Sequence, residues 1–455
     1  MLINKFDNVE VDIASGHKYA RIDIAKGQDI IKYGQVIGVA TQDIKKGEHV
    51  HTHNIKTKLS GRLEYEYNPI EPQKKQELDA YFYGYKREDG QIGIRNDIWI
   101  VNTVGCVNKV AQRLSALTGA KCFTHPYGCS QLGSDHKLTQ TILASMVRHP
   151  NAGGVLVLGL GCENNNITEF KKVLGSYDER RVKFLNSQDY EDEIATGVAM
   201  IDELRAYAST VKREKFNVSE LKVGLKCGGS DGYSGITANA LVGRFCDKLT
   251  GAGGSCVLTE VPEMFGAEHL LMNRCESKEV FDKTVSLINS FKDYYIRNNQ
   301  AVYENPSPGN KEGGITTLEE KSLGCVQKGG LSTVVDVLDY GQMLTKKGLN
   351  LLNGVGNDIV ATTNLMASGV QLILFTTGRG TPLGGAVPTI KIASNNALAT
   401  KKASWIDLDA SKMLDGEDQT DELFDLVIEV ANGKKTKNEQ NGYEEIAIFK
   451  DGVTL

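Results

Sequence analysis

The sequence lacks any apolar run near the roughly 18 residues that a membrane-spanning helix needs, so no membrane span is expected. Its first residues, Met1 to Asp7, carry no long apolar stretch, so no secretion signal is expected either. It also lacks an excess of positive charge. Lys and Arg total 52 against 57 Asp and Glu, a net charge of −5. Nucleic-acid binding without sequence preference needs a basic face that displaces counterions, and this balance excludes it. An anionic substrate must then be captured by local cations. No CxxC spacing is present. Nine cysteines, an odd number in a chain without an export signal, point to reduced thiols in the cytoplasm rather than to a disulfide framework. The 48 glycines show no collagen-like period, so they read as turns and close backbone approaches.

What is present is ordinary for a soluble globular protein: 40% hydrophobic and 24% charged residues, in a length of 455 that suits two to four domains. Residues 1–68 alternate short β-branched segments with Lys-Gly turns at Ala25-Lys26-Gly27 and Lys45-Lys46-Gly47, the pattern of a small all-β module. Residues 69–80, with Pro69 and Pro72, read as a polar linker. From residue 81 the pattern becomes strand, glycine-containing loop, helix. It divides into a first α/β domain (81–218) and a second (219–455), with mostly parallel sheets. No convincing internal repeat is read. Strands are expected at Ile98–Val101, Gly154–Leu160, Val223–Lys226, Cys256–Thr259 and Leu372–Phe375. A helix is expected to carry Val107, Val110, Ala111, Leu114 and Leu117 on one face, and another to run from Glu422 to Val430. Ligands bind at the carboxyl ends of such strands, which places Cys106, Cys162, Ser230, Glu260 and Arg379 on one face. The polar, glycine-rich segment from Glu304 to Gly330 reads as a long functional loop.

Four cysteines directly follow glycine: Cys106, Cys129, Cys162 and Cys325. Thiolates on tight turns suit an iron centre, although small buried residues at turns have the same signature. Upstream stands His51-Thr52-His53. On a strand these imidazoles would share a face and could ligate a metal or carry protons. Arg379, between Gly378 and Gly380, could grip a carboxylate through two parallel hydrogen bonds. Asp358 reads as a helix cap, and Glu163 and Glu260 are candidate proton carriers at strand ends, each of which taken singly reads as a solvated carboxylate.

Several stretches together resemble the altronate/galactarate dehydratase family. They include Gly16-His17-Lys18-Tyr19-Ala20, His49-Val50-His51-Thr52-His53-Asn54, Thr103-Val104-Gly105-Cys106, Gly128-Cys129-Ser130-Gln131, Gly159-Leu160-Gly161-Cys162-Glu163, Cys227-Gly228-Gly229-Ser230-Asp231, Gly356-Asn357-Asp358 and Phe375-Thr376-Thr377-Gly378-Arg379-Gly380-Thr381-Pro382. The resemblance runs in unbroken order from about residue 8 to 400. It implies an N-terminal SAF (β-clip) module and a hydro-lyase that removes water from D-altronate to give 2-dehydro-3-deoxy-D-gluconate. It further implies Fe2+, with Mn2+ as substitute; an iron–sulfur cluster is the alternative form of the metal.

Elimination from a sugar acid needs a cation for the carboxylate, a base for the C2 proton, and an acid or Lewis acid for the leaving hydroxyl. The expected catalytic residues are His17, Lys18, His51 and His53. Ser230, Asp231, Asn310, Lys311 and Arg379 are expected to bind substrate, and Cys106, Cys129 and Cys162 the metal, with His51 and His53 as alternative ligands. Two further readings keep their place: a dehydratase for another aldonate or aldarate, or a sulfolactate sulfo-lyase, and, last, a sugar-acid-binding sensor without turnover. A homodimer is the expected assembly.

Overall fold

The computed structural model describes residues 1–452. Its first 56 residues form two small antiparallel sheets: β1 (Val9–Val11), β2 (Lys18–Ala20) and β5 (His49–Val50) in one, β3 (Asp29–Lys32), β4 (Gln35–Ala40) and β6 (Ile55–Lys56) in the other. An internal repeat that the sequence reading passed over organises this module. Asp23-Ile24-Ala25-Lys26-Gly27 and Asp43-Ile44-Lys45-Lys46-Gly47 face each other. Ile24 and Ile44 exchange backbone hydrogen bonds at 2.8 Å. The Lys26 N–H donates to Asp43 at 2.8 Å and the Lys46 N–H to Asp23 at 2.9 Å. Four of these five positions are identical, Ala25 and Lys45 differing, too few to stand out as a period.

Residues 57–80 hold no regular secondary structure, yet they are not free. The Ile70 N–H donates to the Asn273 carbonyl and the Gln76 N–H to that of Gly251, both at 2.9 Å. The Tyr67 hydroxyl reaches the Cys275 carbonyl at 2.8 Å. The segment is a strap along the C-terminal domain.

The next domain opens with β7 (Tyr81–Lys86) and β8 (Ile92–Gly93). Its core sheet comprises β9 (Asp97–Asn102), β10 (Lys121–Phe123), β11 (Ala152–Gly159) and β12 (Val182–Asn186), all parallel in the order β10-β9-β11-β12. Helices α1 (Asn108–Thr118), α2 (Gly133–Arg148), α3 (Ile167–Leu174) and α4 (Glu193–Thr210) intervene, and β13 (Glu214–Asn217) returns to pair with β7. Every residue of β11 is buried, as expected of a parallel strand covered on both faces. In α1 the buried side chains are Ala111 and Leu114; Leu117 points to solvent, so the apolar face is narrower than its spacing suggests.

The C-terminal domain carries a seven-stranded parallel sheet: β14 (Lys222–Cys227), β15 (Ser255–Leu258), β16 (Val334–Leu338), β17 (Gly348–Leu352), β18 (Leu372–Thr377), β19 (Thr389–Ala393) and β20 (Leu408–Asp409), ordered β16-β17-β15-β14-β18-β19-β20. Its helices are α5 (Ala238–Gly251), α6 (Glu268–Met272), α7 (Lys278–Arg297), α8 (Pro308–Glu312), α9 (Leu318–Cys325), α10 (Asp358–Ala367), α11 (Asn396–Lys401), α12 (Thr420–Ala431) and α13 (Lys437–Asn441). The chain leaves β14 toward β15 on one side and returns as β18 on the other, so a crevice opens at the carboxyl end of β14. Two corrections follow. The five residues expected on one face belong to two sheets: Cys106 and Cys162 to the four-stranded one, Ser230, Glu260 and Arg379 to the seven-stranded one. The segment from Glu304 to Gly330 is mainly helical, and every residue of α9 is buried. The charged residues of α9, Glu319, Glu320 and Lys321, face partners inside the protein rather than water. Among the described residues no helix is long and apolar enough to cross a membrane.

The β module docks on α9 through one buried carboxylate. Lys18 and Lys32 each place Nζ 2.8 Å from Glu320, with all three side chains at most 2% exposed. Burial favours the protonated carboxyl, but the two ammoniums and their hydrogen bonds outweigh it and hold Glu320 far below its ordinary value. The same burial, only partly offset by Glu320, pushes Lys18 down to about 8. Next to this clamp the backbones meet. A Cβ on Gly232 would stand 2.0 Å from the Gly16 carbonyl oxygen, and one on Gly314, at φ +99°, 2.7 Å from it.

Removing one member of such a buried group strands the other charges. Glu320→Ala is expected to lower stability by about 3–5 kcal/mol in denaturant unfolding. Because the folded Glu320 titrates below its ordinary 4.5, its contribution is full above that pH and is lost as pH falls through the lower folded value. Glu320→Gln should therefore flatten the acid limb of the stability curve. Gly232→Ala, which must push the module away, should cost about 1–3 kcal/mol in the same measurement.

Candidate functional site

The seam between the β module and the carboxyl ends of β14 and β18 encloses an open cleft of about 780 Å³. Ile13, Ala14 and Ser15 of the module form one wall, and Asp231, Tyr233, Arg379 and Asn395 part of the other. Glycines at the loop starts let these loops approach. At Gly378, a Cβ would lie 2.2 Å from the Asp231 carboxyl carbon. Asp231 ties the loops together. It accepts from the Ser234 hydroxyl at 2.8 Å, the Ser394 hydroxyl at 2.8 Å and the Asn395 amide at 2.9 Å. Arg379 is half-exposed and meets Glu312 at 2.6 Å, a pairing rather than the helix cap that a loop arginine often makes.

His17, Lys18, Ser230, Asp231, Asn310, Lys311 and Arg379 are all brought to this seam, in different roles. Asn310 closes the N-terminus of α8 with Ser307 and donates to the Ser230 carbonyl at 2.8 Å. Lys311 contributes its carbonyl, which receives His51 Nε2 at 2.8 Å. Lys18 is committed to Glu320 and the Gly314 carbonyl. His51 to Asn54 form a turn rather than a strand, so the same-face argument for His51 and His53 fails. The imidazoles gather nonetheless through the neighbouring strand. His17 Nδ1 lies 3.0 Å from His49 Nε2, and the His49 ring stands 5.2 Å from that of His51 and 5.9 Å from that of His53. His49, unassigned from sequence, is the centre of this group. Burial, and then the surrounding His17, His51, Lys18 and His53, push it down to about 4. Burial lowers His51 as well.

Beneath the cleft, at the ends of β14 and β15, lies a buried polar cluster. Lys226 pairs with Glu260 and with Asp358 at 2.8 Å. Asn357, not Asp358, caps α10. Glu260 is buried and paired rather than solvated, and its backbone sits in the left-handed region at φ 71°. Lys321 meets Glu263 at 2.9 Å, and Lys328 lies 3.4 Å from Glu260. Cys227, Glu263 and Cys325 complete the cluster. Among the described residues they are the one trio of potential metal ligands whose donor atoms all lie within 4.8 Å of one another. The sequence signal for Cys227 was its place at a strand end before Gly228-Gly229; for Cys325 it was the charged run Glu319-Glu320-Lys321 in the same helix.

Cys106, Cys129 and Cys162 lie elsewhere, exposed on the loops after β9, β10 and β11. These loops are laced together. Buried Glu163 accepts from the Thr103 hydroxyl at 2.6 Å and the Gly161 N–H at 2.7 Å, so it is not a solvated carboxylate. The Asn165 N–H donates to the Gly128 carbonyl at 2.9 Å. The three thiols thus share one end of one sheet, but more widely than the 4.8 Å trio above. No residue of this domain lines the cleft.

Comparison with known proteins accounts for nearly the whole chain. The model of the altronate/galactarate dehydratase SAF domain matches residues 4–58, that of the D-galactarate dehydratase/altronate hydrolase second domain residues 84–209, and that of the D-galactarate/altronate dehydratase C-terminal domain residues 218–454. An altronate dehydratase of Escherichia coli is 52% identical over 467 residues, covering 99% of this chain and 94% of its own. One from Bacillus subtilis is 52% identical over 463 residues, covering 98% and 93%. The (2R)-sulfolactate sulfo-lyase of Chromohalobacter salexigens matches as two separate chains. Its subunit beta is 32% identical over 388 residues, 81% of this chain and 97% of the subunit; its subunit alpha is 52% identical over 46 residues, 10% of this chain and 49% of the subunit. With matches of this length and identity, the chain belongs to the D-galactarate/altronate dehydratase family.

Proposed function

We propose that this chain is an altronate dehydratase, a hydro-lyase that takes water from D-altronate to give 2-dehydro-3-deoxy-D-gluconate. The observation that carries this reading is the 52% identity, along the whole chain, to two altronate dehydratases. The cleft agrees with it: one half-exposed guanidinium among the Asp231, Asn395 and Asn396 side chains suits a polyhydroxy carboxylate. The cytoplasmic location and homodimer expected from sequence go with the same reading.

In the elimination a base takes the C2 proton, the C3–O bond breaks, and the leaving hydroxide is protonated to water; the resulting enol then ketonises. Arg379 grips the carboxylate. A carboxylate that offers both oxygens replaces the Glu312 contact, which the exposed Glu312 surrenders at little cost. The His17–His49 pair, beside the wall formed by Ile13 to Ser15, receives the proton. His49, with its value pushed down to about 4, stays neutral at neutral pH and fixes the tautomer of His17 through their 3.0 Å contact. Tying Lys18 to Glu320 gives it the role of holding the histidine-bearing strand in place rather than of moving a proton.

Iron, with manganese as substitute, is proposed on Cys106, Cys129 and Cys162; His51 and His53 are the alternative pair. A single tetrahedral ion with bonds of about 2.3 Å needs closely spaced thiolates, so thiols set more widely favour the iron–sulfur cluster over the lone ion there. Iron held there would supply Lewis acidity, but at a sheet end that does not line the cleft, so the steps above are carried by this chain's own side chains.

Incubating the protein with D-altronate, galactarate and sulfolactate under anaerobic conditions tests the reading. Keto-acid from altronate alone is the expected result; sulfite from sulfolactate would favour the sulfo-lyase reading instead. Arg379→Lys should lower kcat/KM by about 10- to 100-fold, the equivalent of about 1.5–3 kcal/mol for a charge-assisted contact. His17→Ala should lower kcat by about 10²- to 10⁴-fold. Cys106→Ala, Cys129→Ala and Cys162→Ala should each lower the iron and acid-labile sulfide of anaerobically purified protein, measured by metal and sulfide analysis.

A further inference from the structure

Cys227, Glu263 and Cys325 have no part in the reaction as derived above, yet they converge more tightly than any other potential ligands among the described residues. Cys227 Sγ lies 3.3 Å from Cys325 Sγ and 3.3 Å from Glu263 Oε2, and Cys325 Sγ lies 3.0 Å from that same oxygen. All three residues are at most 5% exposed. Each comes from a different element: Cys227 from the end of β14, Glu263 from the turn after β15, Cys325 from the end of α9. The glutamate's other oxygen is held at 2.9 Å by Lys321, which leaves Oε2 aimed at the sulfurs. Ser230 adds a hydroxyl 3.4 Å from Cys227 Sγ. Beside Cys325 and Ser230 lies a space of about 10 Å³, close to the volume of one water.

We propose that Cys227, Glu263 and Cys325 form a buried site for one thiophilic divalent cation, zinc or ferrous iron, with the Ser230 hydroxyl or a water in the adjoining space as fourth ligand. Metal–sulfur bonds of about 2.3 Å and metal–oxygen bonds of about 2.0–2.2 Å place tetrahedral ligands about 3.5–3.8 Å apart, so the trio has to open by only a few tenths of an ångström. The charges balance. Three ammoniums, Lys226, Lys321 and Lys328, face three carboxylates, Glu260, Glu263 and Asp358. A divalent ion that displaces both thiol protons adds two positive and two negative charges and releases two protons, so the buried cluster gains no net charge. The ion would fasten α9, and with it the Glu320 clamp, to the central strand β14. The proposal does not rest on the hydro-lyase reading.

Chelator-stripped full-length protein, kept reduced and anaerobic, can be titrated with Co2+. In the Cys106→Ala/Cys129→Ala/Cys162→Ala background, which removes the thiols proposed above for iron, the expected result is saturation near one ion per chain, with a thiolate-to-cobalt charge-transfer band in the near ultraviolet and release of about two protons per ion. The band should disappear and affinity fall at least about tenfold when Cys227→Ser/Cys325→Ser is added to that background. Glu263→Gln, which preserves shape, should keep it with affinity lowered about tenfold, and so covers the case in which the double variant misfolds. In that background, absence of the band, its survival once Cys227→Ser/Cys325→Ser is added, or unchanged affinity in Glu263→Gln would overturn the proposal.

Discussion

One carboxylate holds the architecture together. Glu320 receives Lys18 from β2 and Lys32 from β3, both at 2.8 Å, inside a seam with almost no solvent. Two ammoniums and a carboxylate out of water are costly unless each finds its partners, so the arrangement admits one docking geometry and penalises others. The helix that carries Glu320 is buried along its length and hydrogen-bonded to the module at a second point, where Glu319 accepts from the Thr57 hydroxyl at 2.8 Å. On its next residues α9 turns Lys321 and Cys325 toward the ends of β14 and β15. Docking of the module and construction of the polar interior are therefore one event: what positions His17 on the seam also positions the cluster below it.

Close backbone contact does the rest. Gly16, Gly232 and Gly314 meet where side chains would collide, so the Ser15–Gly16 turn sits directly over the loop after β14. This gives the cleft a wall from the module and a floor from the sheet ends, with Arg379 as a guanidinium open to an incoming acid.

Much of this was legible in the sequence. Continuous apolar runs such as Val155–Leu158 and Leu372–Phe375 announced buried parallel strands, and the glycines after them announced the loops that bear the site. Other features required the third dimension. Two separate parallel sheets share one sequence pattern, so nothing local revealed that Cys106 and Arg379 stand at the ends of different sheets. The segment from Glu304 to Gly330 looked like a loop because it is polar and glycine-rich; the charges of α9 are instead buried with partners distant in sequence, as Glu320 with Lys18 and Lys321 with Glu263. His51 and His53 drew attention by spacing, whereas His49, whose strand neighbour is Tyr19, is the imidazole that touches His17. The five-residue repeat at Asp23 and Asp43 was too short to register as a period but long enough to fold the module on itself.

The central claim is that the buried clamp, not the chain connection, keeps the module seated over the cleft. A protease site inserted in the strap between residues 59 and 80 tests it directly, by cutting the folded protein and measuring association and turnover of the pieces. The account predicts that the cleaved halves stay together through gel filtration and keep their activity. Separation of the halves, or loss of turnover while they remain associated, would contradict it.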